Sequence, residues 1–63
     1  MKYKLGDTFK NDSEIVRICG VNEVKQTYKL RTLSPKKWQG TVSYGITEEY
    51  IDNNYQLIDK EDN

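Results

Sequence analysis

Residues 27–33, TYKLRTL, alternate between apolar and charged side chains. Successive side chains of a strand point to opposite faces. Tyr28 and Leu30 therefore share one face, and Lys29 and Arg31 share the other. This is the pattern of a half-buried antiparallel strand, and the rest of the chain follows it. KYKLGDTF puts Tyr3 and Leu5 on one side and lysines on the other, then turns at Gly6 and Asp7. KNDS is a turn cluster. EIVRICGV, Glu14 to Val21, is the most apolar stretch, with Val16 and Ile18 on one face and Ile15, Arg17 and Cys19 on the other. Gly20 permits a bulge there, which returns Val21 to the face of Ile18. NEVKQ is a polar turn. The chain is rich in Val, Ile, Thr and Tyr and has no Ala, a choice that favours sheet over helix.

SPKKWQG, residues 34–40, holds the only Pro and the only Trp. Pro35 cannot donate a ladder hydrogen bond, so it ends the strand or sits at an edge. TVSYGI then resumes alternation, with Val42, Tyr44 and Ile46 expected on one face. The two strands and the loop between them read as a hairpin with a long tip. In TEEYIDNN the alternation breaks. Thr47 is a good N-cap, and Glu48 and Glu49 suit the positive end of a short helix. Asn53 and Asn54 tolerate the left-handed conformation and would stop it. The expectation is one 3₁₀ turn, followed by a last short strand in YQLI. Five short strands in so small a chain predict a small barrel, because closure removes vulnerable edges. Residues 1–58 form the single domain of this reading, and residues 59–63 a frayed polar tail.

A chain of 63 residues buries only about 60% of its unfolded surface. Small domains compensate with disulfides, a metal or oligomerisation. Cys19 is the only cysteine and there is no histidine, so an intrachain disulfide and a Cys/His zinc site are excluded. Cys19 itself reads as a small buried hydrophobe. The core must be efficient, or a partner must contribute; a second copy pairing through an edge strand is one way to do so. No apolar leader segment is visible near the start, and no run approaches the roughly 18 apolar residues of a membrane span. With one free thiol, this reads as a cytoplasmic protein without membrane association. Lys, Asn, Ile and Tyr, all with A/T-rich codons, are plentiful, which points to a low-GC bacterium or its phage.

The residues that carry a family resemblance are LGDTF, EIVRICGV with its glycine bulge, YKLRTL, and the closing ITEEYIDNNYQLI. Over residues 3–58 their order resembles an SH3-like barrel, in which a single 3₁₀ turn separates the last two strands. The resemblance implies an all-β, five-stranded SH3-like barrel with that turn before the last strand. The aromatic run, paired Trp and late Pro-Tyr of peptide-binding signalling SH3 domains are missing, so recognition of proline-rich peptides does not carry over. The chain is closer to small SH3-like proteins of low-GC bacteria and their phages, whose members bind proteins or nucleic acids.

Catalysis finds little support in the residues. There is no His, no glycine-rich phosphate loop and no metal-ligand spacing, and Ser13, Ser34 and Ser43 have no recognisable base. Glu48 and Glu49 are helix neighbours and point about 100° apart, so they do not face each other across a cleft. The expectation is a non-enzymatic protein without cofactor or metal. Binding finds more support. Lys29 and Arg31 lie on the outer face of one strand, Lys36, Lys37 and Trp38 at the adjoining tip, and Tyr44 across the hairpin. Cations with aromatics grip acidic protein surfaces or track phosphates and stack bases. The formal net charge is zero, but residues 1–42 carry nine basic and four acidic side chains, and residues 43–63 one basic and six acidic. A nucleic-acid binder is usually basic overall. The preferred function is therefore a protein-interaction module, in a phage one that binds or inhibits a host or defence protein. A nucleic-acid-binding barrel using the basic hairpin is the alternative.

Overall fold

The alternating stretches pair side by side. In a computed structural model that describes residues 1–60, five strands form one antiparallel sheet: β1 (Thr8–Lys10), β2 (Ile15–Asn22), β3 (Thr27–Ser34), β4 (Val42–Thr47) and β5 (Gln56–Asp59). Their order is β4-β3-β2-β1-β5. The first four strands form a meander, and β5 returns to lie beside β1. β4 and β5 do not pair with each other, so the sheet stays open and each is an edge. A helix α1 (Glu48–Asn54) links β4 to β5, and a 3₁₀ turn (Lys36–Trp38) links β3 to β4. No helix among the described residues is long and apolar enough to cross a membrane.

The core lies on the inner face of this sheet. Phe9, Val16, Ile18, Tyr28 and Leu30 come from the strands and Ile51 from α1, all buried. Tyr3, Ile46 and Tyr55 pack partly buried against them. Four register irregularities bend the ladder: in β2 at Cys19, in β3 at Leu33, in β4 at Tyr44 and Gly45, and in β5 at Ile58. Each bulge sharpens the local twist, which lets a sheet of short strands curve around six buried side chains. The expected bulge at Gly20 is present. Ile18 pairs with Leu30, Gly20 with Lys29, and Val21 with Tyr28, so Val21 does return to the inner side, although it stays 39% exposed. Cys19, the extra residue of that bulge, is only half-buried, because a bulged residue has no cross-strand neighbour to cover it.

Several expectations are corrected. Tyr3 and Leu5 are not in a strand. Gly6 takes φ 96° and closes a turn in which Asp7 N–H donates to the Lys4 carbonyl at 3.0 Å. The buried Asp7 carboxylate accepts the Lys4 amide at 3.1 Å, and Leu5 is left exposed. The segment before the last strand is a seven-residue α-helix rather than one 3₁₀ turn. Thr47 caps it as expected, its hydroxyl accepting from Tyr50 N–H at 3.1 Å. Tyr55 N–H reaches the Ile51 carbonyl at 2.9 Å, an α-type bond. Asn53 and Asn54 do not end the helix in a left-handed turn. The Asn54 side-chain amide instead donates to the Tyr50 carbonyl at 2.8 Å, within the last turn. The chain then leaves in an extended conformation at Tyr55. Asp59, assigned above to a frayed tail, pairs with Thr8 in β5. Residues 61–63 of that tail lie outside the described residues.

Candidate cation–aromatic surface of the β3–β4 hairpin

β3 and β4 form the expected hairpin, with Arg31 opposite Val42 and Thr27 opposite Thr47. Its outer face carries the sequence-derived site residues, but they fall into two groups. At one end, the Lys29 ammonium sits over the Tyr44 ring, 5.2 Å from its centre. At the tip, the Lys37 ammonium sits over Trp38 at 4.6 Å. Lys36 is exposed beside it, and Arg31 is exposed between the two groups. No ring contact among the described residues joins Tyr44 to Trp38.

Gly45 explains the position of Tyr44. It takes φ 69°, a left-handed conformation that glycine adopts without steric cost. Tyr44 and Gly45 together oppose the single residue Lys29. The bulge shifts the alternation of β4. Ile46 lies opposite the inward-facing Tyr28, whereas Val42 lies opposite the outward-facing Arg31. Val42, Tyr44 and Ile46 therefore do not share a face, and Tyr44 is 71% exposed. Gly20 plays a matching part in β2. A Cβ there would come within 3.1 Å of Lys29 Cε, so its absence lets the lysine stem lie flat and reach Tyr44. An open concavity of about 820 Å³ borders this end, lined by Gly20, Val21, Val24, Tyr28, Lys29 and Tyr44 among others.

The tip is built by short-range bonds. The Ser34–Pro35 peptide is cis. Trp38 N–H donates to the Pro35 carbonyl at 3.0 Å and Gln39 N–H to Lys36 at 3.2 Å. Gly40, at φ 88°, then turns the chain back, its N–H donating to the Thr32 carbonyl at 2.8 Å. These bonds hold Trp38 outward, 46% exposed. It is not a core residue.

Three acidic residues are engaged elsewhere. Glu48 Oε2 accepts the Tyr28 hydroxyl at 3.0 Å and the Lys2 amide at 2.9 Å. Asp52 accepts the Tyr3 hydroxyl and forms a 3.0 Å ion pair with Lys2. Glu14 accepts the Tyr55 hydroxyl at 2.8 Å and the Thr32 hydroxyl at 3.2 Å. The Lys2 amide and the Tyr28 hydroxyl hold the Glu48 carboxyl below its ordinary range. The Tyr3 hydroxyl and the Lys2 ammonium do the same for Asp52. Burial, followed by the Glu14 carboxylate, pushes the Tyr55 hydroxyl well above the ordinary tyrosine range. These carboxylates fasten the N-terminal segment, α1 and the β1–β2 loop, so they do not neutralise the hairpin face.

Sequence reasoning missed one cation of this face. Arg17 in β2 lies directly opposite Arg31 in β3 and opposite Thr8 in β1. Its outward direction was legible from alternation, but its partner depends on the bulge at Cys19. Among the described residues no group of three or more His, Cys, Asp or Glu side chains is placed to hold a metal ion.

Fold and surface together define a small, mostly β protein with one open antiparallel sheet and a cationic, aromatic hairpin face. Compared with protein-family models, curated proteins and solved structures, the chain matches none.

Proposed function

We propose that this protein is a non-enzymatic protein-interaction module that grips an acidic protein surface with the outer face of its β3–β4 hairpin. The observation that carries the reading is the pair of cation–aromatic stacks, half-buried Lys29 on exposed Tyr44 and exposed Lys37 on Trp38, set on either side of Arg31. Trp, Tyr and Arg are the residues that most often anchor interfaces. A lysine resting on a ring holds its charge beside the apolar surface that a partner would cover. A Trp held 46% exposed by its own turn has less to gain from the core than from a partner. Glu48, Asp52 and Glu14 are used internally, so charge complementarity favours an acidic occupant over a basic one. The overall charge balance weighs against a nucleic acid, whose binders are usually basic.

An SH3-like barrel left open between β4 and β5 is the architecture we propose for it. Support comes from the five-stranded order and from α1, which occupies the place of the turn before the last strand. The single free thiol supports a reducing cytoplasm. The residue choice supports a low-GC bacterium or phage as the source, where such a module would engage a host or defence protein.

Lysine-directed cross-linking in a lysate of the source cells, followed by peptide mapping, tests the reading. Cross-links from Lys29, Lys36 or Lys37 to acidic segments of one protein are expected, and W38A/Y44A should abolish them. A partner captured equally well by W38A/Y44A overturns it.

A further inference from the structure

We infer that Arg17 and Arg31 form a two-arginine clamp for a single carboxylate of the acidic partner. The inference deepens the hairpin-face reading and rests on it. Arg17 and Arg31 are in direct register across β2 and β3. Opposed residues of antiparallel strands have Cα atoms about 4.5–5.5 Å apart and side chains on the same face. Both arginines are exposed, and neither has an ion-pair partner among the described residues. Like charges directly opposite destabilise a sheet. An anion placed between them turns that repulsion into two attractions.

Arg17 is also held in position. Its Nε–H donates to Thr8 Oγ1 at 3.1 Å, and the Thr8 hydroxyl donates to the Gly6 carbonyl at 3.2 Å. Thr8 is buried, so this anchor is fixed by the sheet. With Nε occupied, the two Nη groups remain as the free edge of the guanidinium fork. That edge matches a carboxylate in two parallel hydrogen bonds. Lys29 lies two residues from Arg31 on the same face and adds a third positive charge, but its stem is committed to Gly20 and Tyr44. It strengthens the local field without setting the geometry.

The same oxyanion chemistry is offered by phosphate, and the observations favour carboxylate. Screening confines surface electrostatics to roughly 8 Å at physiological salt. One acidic side chain therefore meets only the local cations, whereas a phosphate chain long enough to span the molecule also meets its acidic residues.

The test uses a hexaglutamate peptide and inorganic phosphate as probes, read by side-chain NMR of the arginine Nε–H groups at low salt. The expected result is saturable binding of the peptide with shifts at both Arg17 and Arg31. R17Q and R31Q should each weaken it about tenfold, and the double variant little more than either alone, because the two act as one unit. R17K keeps the charge but loses the fork and should weaken binding nearly as much as R17Q. Without any ligand, R31Q should raise the melting temperature by about 1–4 °C, since it removes the cross-strand repulsion. Unchanged peptide binding in R17Q, full retention in R17K, a lower melting temperature in R31Q, or tighter binding of phosphate than of the peptide each overturns the clamp. If W38A/Y44A abolishes cross-linking to the cellular partner while R17Q leaves peptide binding intact, the hairpin surface survives and the clamp fails. If R17Q abolishes peptide binding while W38A/Y44A leaves the cross-links unchanged, the clamp survives and the hairpin surface fails.

Discussion

The hydroxyl of Tyr28, whose ring is buried at the centre of the core, donates to the carboxylate of Glu48 at the start of α1. The same oxygen accepts the amide of Tyr3 at 3.0 Å. One phenol thus fastens three separate parts of the chain: the strand it belongs to, the helix, and the segment before β1. Replacing it by Phe keeps the ring in place, leaves the Tyr3 amide without its acceptor and deprives Glu48 of a donor. Y28F should cost about 1–3 kcal/mol, measured by urea unfolding. A loss below about 0.5 kcal/mol would mean that water replaces the hydroxyl without penalty.

Acid should loosen the molecule at this place first. The Glu48 and Asp52 carboxyls lie below their ordinary values of 4.5 and 3.8 when folded. Groups depressed in this way bind more protons in the unfolded state. Their contribution is therefore complete above the unfolded values and is lost as pH falls through the lower, folded ones. Below about pH 4 the contacts of Lys2 and Tyr3 should weaken, seen as chemical-shift changes at Tyr3 and Glu48 before global unfolding. The D52N variant should lose part of this acid sensitivity. An acid transition identical in wild type and D52N would remove Asp52 from the account.

At the alkaline end the sign reverses. Tyr3, Tyr28 and Tyr55 have hydroxyls raised above the usual value of 10.0. The Asp52 hydrogen bond is the main cause for Tyr3, and burial is the main cause for the other two. Groups raised in this way contribute stability below the unfolded value and lose it as pH rises through the folded one. Spectrophotometric titration should show Tyr3, Tyr28 and Tyr55 ionising later in the folded chain than in urea. Ionisation of these three at the same pH with and without urea would contradict the network.

Gly45 should tolerate no side chain well. At φ 69° an alanine sits in the left-handed region, at a cost of about 1–2 kcal/mol. No heavy atom lies within 4 Å of the added methyl, so the loss would be backbone strain rather than crowding. G45A should therefore lower stability by that amount and disturb the Lys29–Tyr44 stack, read from the ring-current shift of the Lys29 methylenes. Unaltered shifts and stability would show that the bulge can be relocated without consequence.

Trp38 gives the opposite expectation. Cutting a fully buried Trp to Ala costs about 3–5 kcal/mol. A ring left 46% exposed at the end of a hairpin should lose much less, about 1 kcal/mol. Unfolding of W38A in urea checks this, and a cost in the buried range would place the indole in the core.

The local signals in the sequence were reliable where one strand decides its own pattern. Tyr28 and Leu30 point inward, Thr47 caps a helix, and Gly20 marks a bulge, each for a reason contained in a few neighbouring residues. The errors arose where two strands must agree. Alternation alone puts Val42, Tyr44 and Ile46 on one face, but the Gly45 bulge lets two residues oppose Lys29 and separates them. Tyr3 and Leu5 alternate like a strand, yet a left-handed Gly6 and the buried Asp7 carboxylate turn the chain away. Of the surface, Lys29 and Arg31 are legible from their own strand, and Trp38 from its place at the hairpin tip. Arg17 was not seen as part of it, because its alignment with Arg31 follows from the bulge at Cys19. The carboxylate–tyrosine contacts join residues far apart in sequence, and no local pattern announces them.

The placement of β5 beside β1 has a consequence for the order of assembly. Strands β1 to β4 each meet a neighbour in sequence, so their turns close over short loops. The β1–β5 pairing alone joins Thr8 to Asp59, across almost the whole chain, and such distant closure carries the largest entropic cost. The meander can form as soon as its residues exist, and the seam must wait for the last strand to arrive. Until β5 docks beside β1, the chain carries an unsealed, apolar inner face.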